Sequence, residues 1–249
     1  MRFENKVALV TGGGGGFGAE IVRRFAAEGA SVIVADMNSE LGEKVAEEIG
    51  DAARFSQCDV RSSDDVAAAV ALAESAFGGL DIIVNNAGIV HPKQNVADMD
   101  EATYQKVMDV NLKSVFLFSR YGVPAIARRG GGSIVNVAST ASLKPRAGNV
   151  IYGVSKAAVV AFTKGLAVEL AERNIRVNSI LPVASKTQIL LDFVGPDADE
   201  QIERIASMIP LKRLGTPGDM ASAVTFLASE EASFLTGVAM PVDGGWTAG

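Results

Sequence analysis

Val7-Ala8-Leu9-Val10-Thr11-Gly12-Gly13-Gly14-Gly15-Gly16-Phe17-Gly18 carries an apolar run straight into five consecutive glycines, and a helical pattern follows over residues 17–28. A short, unbroken apolar run reads as a strand covered on both faces. Glycines let a backbone approach a pyrophosphate closely, and the start of the next helix offers free N–H groups and a positive dipole end. Two registers fit: G-x-G-x-x-G on Gly13, Gly15 and Gly18, or T-G-x-x-x-G-x-G on Thr11, Gly12, Gly16 and Gly18. A flexible loop is the competing account. The order strand, glycines, helix favours a nucleotide.

Outward from this turn, apolar runs alternate with helical patterns. Lys6–Thr11, Ser31–Asp36, Arg54–Cys58, Leu80–Asn85, Ser133–Ala138, Ile175–Leu181 and Val238–Val242 read as strands. Helical patterns lie near 17–28, 40–49, 64–77, 101–128, 152–173 and 218–229. The alternation predicts an α/β fold, a doubly wound parallel sheet of seven strands with helices on both faces. Residues 1–249 read as one domain, with a long irregular insertion at 183–210 of the kind that forms lids.

Composition narrows the function classes. The chain has 249 residues and a net charge of −6, which argues against nucleic acid or an anionic membrane as the main partner. Cys58 is the single cysteine, so no internal disulfide framework exists, and its place at a strand end suits a buried thiol. No signal-peptide h-region is seen, and no apolar run approaches a membrane span. The protein is expected to be soluble and cytoplasmic.

Asp36 ends the second strand, 18 residues beyond Gly18. A carboxylate there accepts hydrogen bonds from ribose hydroxyls and repels a 2′-phosphate. Met37 follows it, and no Arg or Lys lies among residues 12–18, so NAD is favoured over NADP. The plainer account is an Asp capping a turn. Asp59-Val60, after the third strand, is placed either to meet an adenine or simply to start a turn. Asn85-Asn86-Ala87-Gly88 closes the fourth strand with residues small enough to admit a ligand, or with amides that only hold the turn.

Tyr152 and Lys156 are four apart on a helix and share a face. A phenol with its ordinary pKa near ~10 is a poor base at neutral pH. An ammonium about 4 Å away contributes roughly 4 kcal/mol at an effective dielectric near 20. That lowers the phenol toward ~7 before desolvation takes part of it back. Alone, such a pair equally describes a solvated helix face.

Together these residues resemble the short-chain dehydrogenase/reductase family, in its single-domain branch, from about Lys6 to Trp246. The resemblance rests on Thr11-Gly12-x-x-x-Gly16-x-Gly18, Asn85-Asn86-Ala87-Gly88, Asn111, Ser139, Tyr152-x-x-x-Lys156 and Val242-Asp243-Gly244-Gly245. It implies a hydride-transferring oxidoreductase in which Tyr152 exchanges the alcohol proton and Ser139 hydrogen-bonds the reacting oxygen. Lys156 would hold the nicotinamide ribose and tune Tyr152, and Asn111 would hold a water linking Lys156 to solvent. The turn, Phe17 included, with Asp36, Asp59, Val60, Asn86, Ala87 and Gly88, would bind NAD. Pro182, Val183 and Thr187 would bind its nicotinamide end. Many family members have Pro-Gly where this chain has Pro182-Val183, so the lid is expected to start differently. No metal is required. His91 either lines the pocket rim or is a plain loop histidine.

Leu190, Leu191, Phe193 and Val194, then Ile202, Ile205 and Ile209, give the insertion an apolar character with helical spacing in its second half. Lys144 and Arg146 either attract an anionic group or are solvated loop charges. The leading reading is an NAD-dependent dehydrogenase of a secondary alcohol or ketone. The alternative is a 3-oxoacyl-thioester reductase of the carrier-protein type. Arg129 and Arg173 stand near that type's docking positions, and Asp36 counts against it, since those reductases usually use NADPH. A nucleotide sensor without catalysis would need none of the proton relay. Ala157–Phe162 is apolar on every side of its helix, and Ser114–Ala127 is similarly rich, so a homotetramer is expected, with Met240–Trp246 at a second interface.

Overall fold

In this computed structural model residues 1–185 and 198–249 are described, the backbone alone for 198–201. Seven strands form one parallel sheet: β1 Val7–Thr11, β2 Ser31–Asp36, β3 Ala53–Gln57, β4 Ile82–Asn85, β5 Gly132–Val137, β6 Ile175–Pro182 and β7 Ala239–Val242. Their order is β3-β2-β1-β4-β5-β6-β7. The chain winds outward from β1 to β3, then returns to the other side of β1 with β4. That reversal opens a crevice beyond the carboxyl ends of β1 and β4, where open α/β sheets bind ligands.

The helices are α1 Gly16–Ala27, α2 Ser39–Ile49, α3 Ser63–Phe77, α4 Glu101–Met108, α5 Ser114–Arg128, α6 Val150–Leu170, α7 Ala198–Met208 and α8 Pro217–Ala228. Successive side chains of a strand point to opposite faces. In β1, Ala8 and Val10 join a core with Ile21, Phe25 and Val224 of α1 and α8. Val7 and Leu9 join the opposite core with Val66, Phe118 and Ile126 of α3 and α5. Both faces of the sheet are therefore dry, which explains why its central strands read as continuous apolar runs.

Three expectations change. The helix anticipated over 101–128 is α4 and α5 joined by a π-helical turn, Asp109–Lys113. Such single-turn bulges add a residue and re-aim a side chain. Here the side chain is Asn111, whose amide bonds Ile89 in both directions, Asn111 Nδ2 to the Ile89 carbonyl at 2.9 Å and Ile89 N–H to Asn111 Oδ1 at 2.8 Å. The insertion is not wholly irregular, since α7 occupies Ala198–Met208, and Ile202 and Ile205 pack against Val183, Ile209, Leu214 and Trp246. Thr187, Leu190, Leu191, Phe193 and Val194 lie outside the described residues. Thirdly, Val150–Arg173 is long and apolar enough, by length and composition, to cross a membrane. It packs along β6 instead, burying Val159, Ala167 and Leu170.

Cys58 is buried, and desolvation first, then nearby Asp65, Asp59 and Asp36, push its thiol up to about 12. It is a core residue, far from thiolate chemistry.

Candidate active site

The crevice is floored by the junction of β1 and β4. Thr11 Oγ1 accepts from the amides of Asn86 and Ala87, each at 2.9 Å. The Asn86 side chain donates back to the carbonyls of Thr11 and Gly12 at 2.9 and 3.2 Å. Gly12 and Gly16 adopt positive φ of 62° and 53°, which favours glycine. A Cβ on Gly18 would strike the Gly12 carbonyl, whereas one on Gly15 would meet open space. These contacts favour the Thr11/Gly12/Gly16/Gly18 register and leave a side-chain-free cradle at the N-terminus of α1. The cradle fits a pyrophosphate.

Asp36 projects toward this turn. One carboxylate oxygen accepts from Gly14 N–H at 2.9 Å, the other from Asn38 N–H at 2.9 Å. The carboxylate thus caps a turn, and each oxygen keeps further acceptor capacity. Asp59 is committed elsewhere. Arg61 grips it through Nε and Nη2, the shortest contact being 2.6 Å, and holds its carboxyl below the usual range. Val60 is buried.

A cavity of about 360 Å³ continues from Gly12, Gly16 and Phe17 past Ala87 and Gly88 to Ser139, Tyr152 and Lys156. Pro182 and Val183 close its far wall. Val183 continues beside β7, its N–H reaching the Val242 carbonyl at 3.4 Å, and buries its side chain beneath α7. His91 lies buried, with Nδ1 against the Pro92 carbonyl at 2.7 Å; it is not among the residues that line the cavity.

Ser139 lies two residues past the end of β5, and its Oγ accepts from Ala141 N–H at 3.1 Å, which leaves its own proton free to donate. Lys156 is buried, with Nζ donating to the Val137 carbonyl at 2.8 Å. Asn111 also donates to Ser155 Oγ at 3.0 Å, and Ser155 donates to the Tyr152 carbonyl at 2.7 Å, so the π turn is tied to the first turn of α6. A Cβ on Gly88 would stand 3.0 Å from Lys156 Nζ and 3.3 Å from Asn111 Oδ1. Glycine there lets both groups face the same small space.

The protonation balance differs from the sequence-based estimate. Burial pushes the Tyr152 phenol up, opposed by the approach of the Ser139 hydroxyl. Burial pulls Lys156 down to about 8. The Lys156 ammonium is itself held toward neutrality by the same burial. Desolvation therefore outweighs the charge pairing.

Arg129 does not reach this region. It pairs with buried Asp81 at 3.3 Å and donates to the Asn5 carbonyl, near the opposite ends of the strands. Neither the π turn nor the Asn111–Ser155 tie was legible in the sequence, because each involves side-chain contacts across more than 20 residues.

A sequence model of the family described as enoyl-(acyl carrier protein) reductase matches residues 13–247. The chain belongs to the short-chain dehydrogenase/reductase family. As a member it is an NAD(P)-dependent oxidoreductase acting on CH–OH groups. It is 45% identical to 4-formylbenzenesulfonate dehydrogenase of Comamonas testosteroni, over 98% of this chain and 99% of that one. It is 39% identical to cyclohexanol dehydrogenase of Acinetobacter sp. strain SE19, over 99% and 96%. The crystal structure of 3-ketoacyl-(acyl-carrier-protein) reductase from Brucella melitensis complexed with NADH superposes with a TM-score of 0.93 at 42% identity, covering 98% and 99% of the two chains.

A lysine whose pKa falls on folding lowers stability most where it must be charged, below the folded value, and the cost fades as pH rises toward the unfolded value. With about 8 in place of 10.5, the cofactor-free enzyme should lose about 1 kcal/mol of that cost between pH 7 and 9. Lys156→Met should remove this slope. Urea unfolding of both proteins at the two pH values measures it, and parallel pH dependence would show that Lys156 is not desolvated.

Proposed function

We propose that the chain interconverts a secondary alcohol and its ketone with NAD(H), and that Tyr152 handles the proton. The observation that carries this reading is the convergence of Tyr152, Ser139 and Lys156 on the one cavity that starts at the glycine cradle. Bound NAD supplies a nicotinamide carbon that exchanges hydride with the substrate. The residues fit it: Gly12, Gly16, Phe17 and Gly18 would cradle the pyrophosphate, and the Asp36 carboxylate would accept from the ribose hydroxyls. Val60 and Asp59 would face the adenine, Asp59 as a partner of Arg61. Asn86, Ala87 and Gly88 line the path inward, with Pro182 and Val183 beyond them where the nicotinamide end would lie, and on the family pattern Thr187 would also serve there.

At the reacting oxygen, Ser139 O–H donates and Tyr152 gives or takes the proton. Lys156 orients the nicotinamide ribose, and its positive charge, when present, favours the phenolate. Both Nδ2 protons of Asn111 and one Oδ1 lone pair are spent on protein partners, so its remaining lone pair is what would receive a water joining Lys156 to solvent.

The match to acyl-carrier-protein reductases keeps a second reading in play, reduction of a 3-oxoacyl thioester. NADH in the Brucella structure weakens the objection from Asp36, while the commitment of Arg129 to Asp81 weakens the docking analogy. Turnover of acetoacetyl thioesters but not of simple ketones would select the thioester reading. Failure of every alcohol, ketone and thioester with both cofactors would point to a sensor. We also read residues 1–249 as one catalytic domain and place the enzyme in the cytoplasm, on the buried, unpaired Cys58.

Val154 and Val168 of α6 and Phe116 of α5 are exposed apolar residues, Val168 at 81%. Such faces pair across two-fold axes, and we propose a homotetramer. Light scattering at micromolar concentration should give four times 25.9 kDa. A monodisperse monomer refutes it.

Tyr152→Phe should keep NADH binding and lower turnover by about 10²–10⁴, the scale of lost general acid–base catalysis. Near wild-type turnover would remove Tyr152 from the mechanism.

Asp36→Ala should weaken NAD use by roughly 10- to 100-fold and improve NADP use, more so with Met37→Arg, which supplies a cation for the phosphate. Values of kcat/KM for both cofactors across the four variants test this. An unchanged cofactor ratio in Asp36→Ala would leave Asp36 as a turn residue only.

A further inference from the structure

Several arginines in this structure spend their donors on protein acceptors, and Arg146, near the site, does not. Arg176, similarly withdrawn from solvent, donates to the carbonyls of Leu227, Ala228 and Ser229. Arg213 forks onto Asp219, and Arg129 onto Asp81. Arg146 is half-buried on the loop between Ser139 and α6, and burial alone pulls its pKa down, with no hydrogen bond or carboxylate opposing it. Among the described residues its one partner is the Trp246 ring, whose centroid lies 5.0 Å from the guanidinium carbon. Lys144 Nζ stands over the same ring at 5.0 Å and donates to the Gly249 backbone oxygen at 2.8 Å.

Both cations line the cavity that holds Ser139 and Tyr152. Among the described residues no Asp or Glu lines it, although the chain as a whole carries a net charge of −6. A desolvated guanidinium with unspent donors is costly unless an anion completes it. The indole face steadies the cation without using its N–H groups, so the planar fork stays available for a carboxylate-type oxyanion. We propose that the substrate carries an organic oxyanion, a carboxylate or sulfonate, which Arg146 holds by a forked hydrogen bond with Lys144 adding charge, while the alcohol or carbonyl carbon lies at Tyr152. This rests on the dehydrogenase reading for the position of the reacting end.

Trp246 is the single tryptophan, so its emission reports on this wall directly. The enzyme–NAD⁺ complex is titrated with benzenesulfonate and, as the neutral match, benzenesulfonamide. The sulfonate should change Trp246 emission saturably, the sulfonamide should not over the same range, and Arg146→Gln should weaken sulfonate binding about 10- to 100-fold. Lys106→Gln, an exposed charge on α4, should not weaken it. In parallel, kcat/KM is measured with NADH for 4-acetylbenzoate and its methyl ester. The acid should be preferred at least tenfold through KM, and Arg146→Gln should abolish the preference. Equal responses to sulfonate and sulfonamide, or equal loss in Arg146→Gln and Lys106→Gln, would overturn the anion site. Sulfonate binding that depends on Arg146, with neither ketone reduced, would uphold the anion site and count against the dehydrogenase reading instead.

Discussion

The lock between β1 and β4 governs the rest of the site. Thr11 Oγ1 receives two backbone amides from the loop after β4, and Asn86 returns two hydrogen bonds to the end of β1. Each such bond adds only about 1 kcal/mol net, but the group of four closes the sheet at its switch point. With the two strand ends pinned, the glycine turn must pass over Gly18 and Asn86 with almost no room for a side chain. The cradle and the cavity behind it therefore share one floor. Anything bound to the turn is indexed to Gly88, and through Gly88 to Lys156 and Asn111.

Behind that floor a second polar chain fixes the catalytic helix. Asn85 donates to Asn136 at 2.8 Å, and Asn136 donates to Thr163 of α6 at 2.9 Å. The Asn111–Ser155–Tyr152 links act on the first turn of the same helix. The helix that carries Tyr152 and Lys156 is thus held at two levels to strands and to the π turn. Rotation of α6 would break buried hydrogen bonds, which are expensive to leave unmade. Precise placement of the Tyr152 oxygen follows from groups that never touch a substrate.

The doubly wound fold was legible because it depends on local pattern: apolar runs of strand length, helical spacing and one glycine turn. Strand ends differed by one or two residues, as where β4 starts at Ile82 rather than Leu80. The positions of Ser139, Tyr152 and Lys156 on one cavity wall were also legible, since a strand end and an i, i+4 pair are local features. The π turn was not, because its cause is the bond between Asn111 and Ile89, 22 residues apart. Asp59 was left between an adenine contact and a turn; it does open a turn, but its ion pair with Arg61, two residues away, was not foreseen because nothing local says that the pair closes. The protonation balance was illegible because desolvation depends on everything packed around Tyr152 and Lys156.

Unspent polar capacity is concentrated around the cavity. Asn85 Oδ1, His91 Nε2 and Asn149 Oδ1 are the buried side-chain atoms without a partner among the described residues, and all three sit on the segments that frame it. The other buried side-chain nitrogens and oxygens among the described residues are paired, as folding energetics demands. Lys156 pulled down to about 8, Tyr152 pushed up and Arg146 left without an anion belong to the same pattern. Each is a cost to the folded chain, and each is relieved by a specific event: charge rearrangement at a reacting oxygen, or the arrival of a ligand group. The stability the core supplies through its two dry faces is what lets the crevice keep these groups unpaired. A sequence optimised for stability alone would place a methionine at 156 and a glutamine at 146, and would lose the gradients that orient a substrate between them.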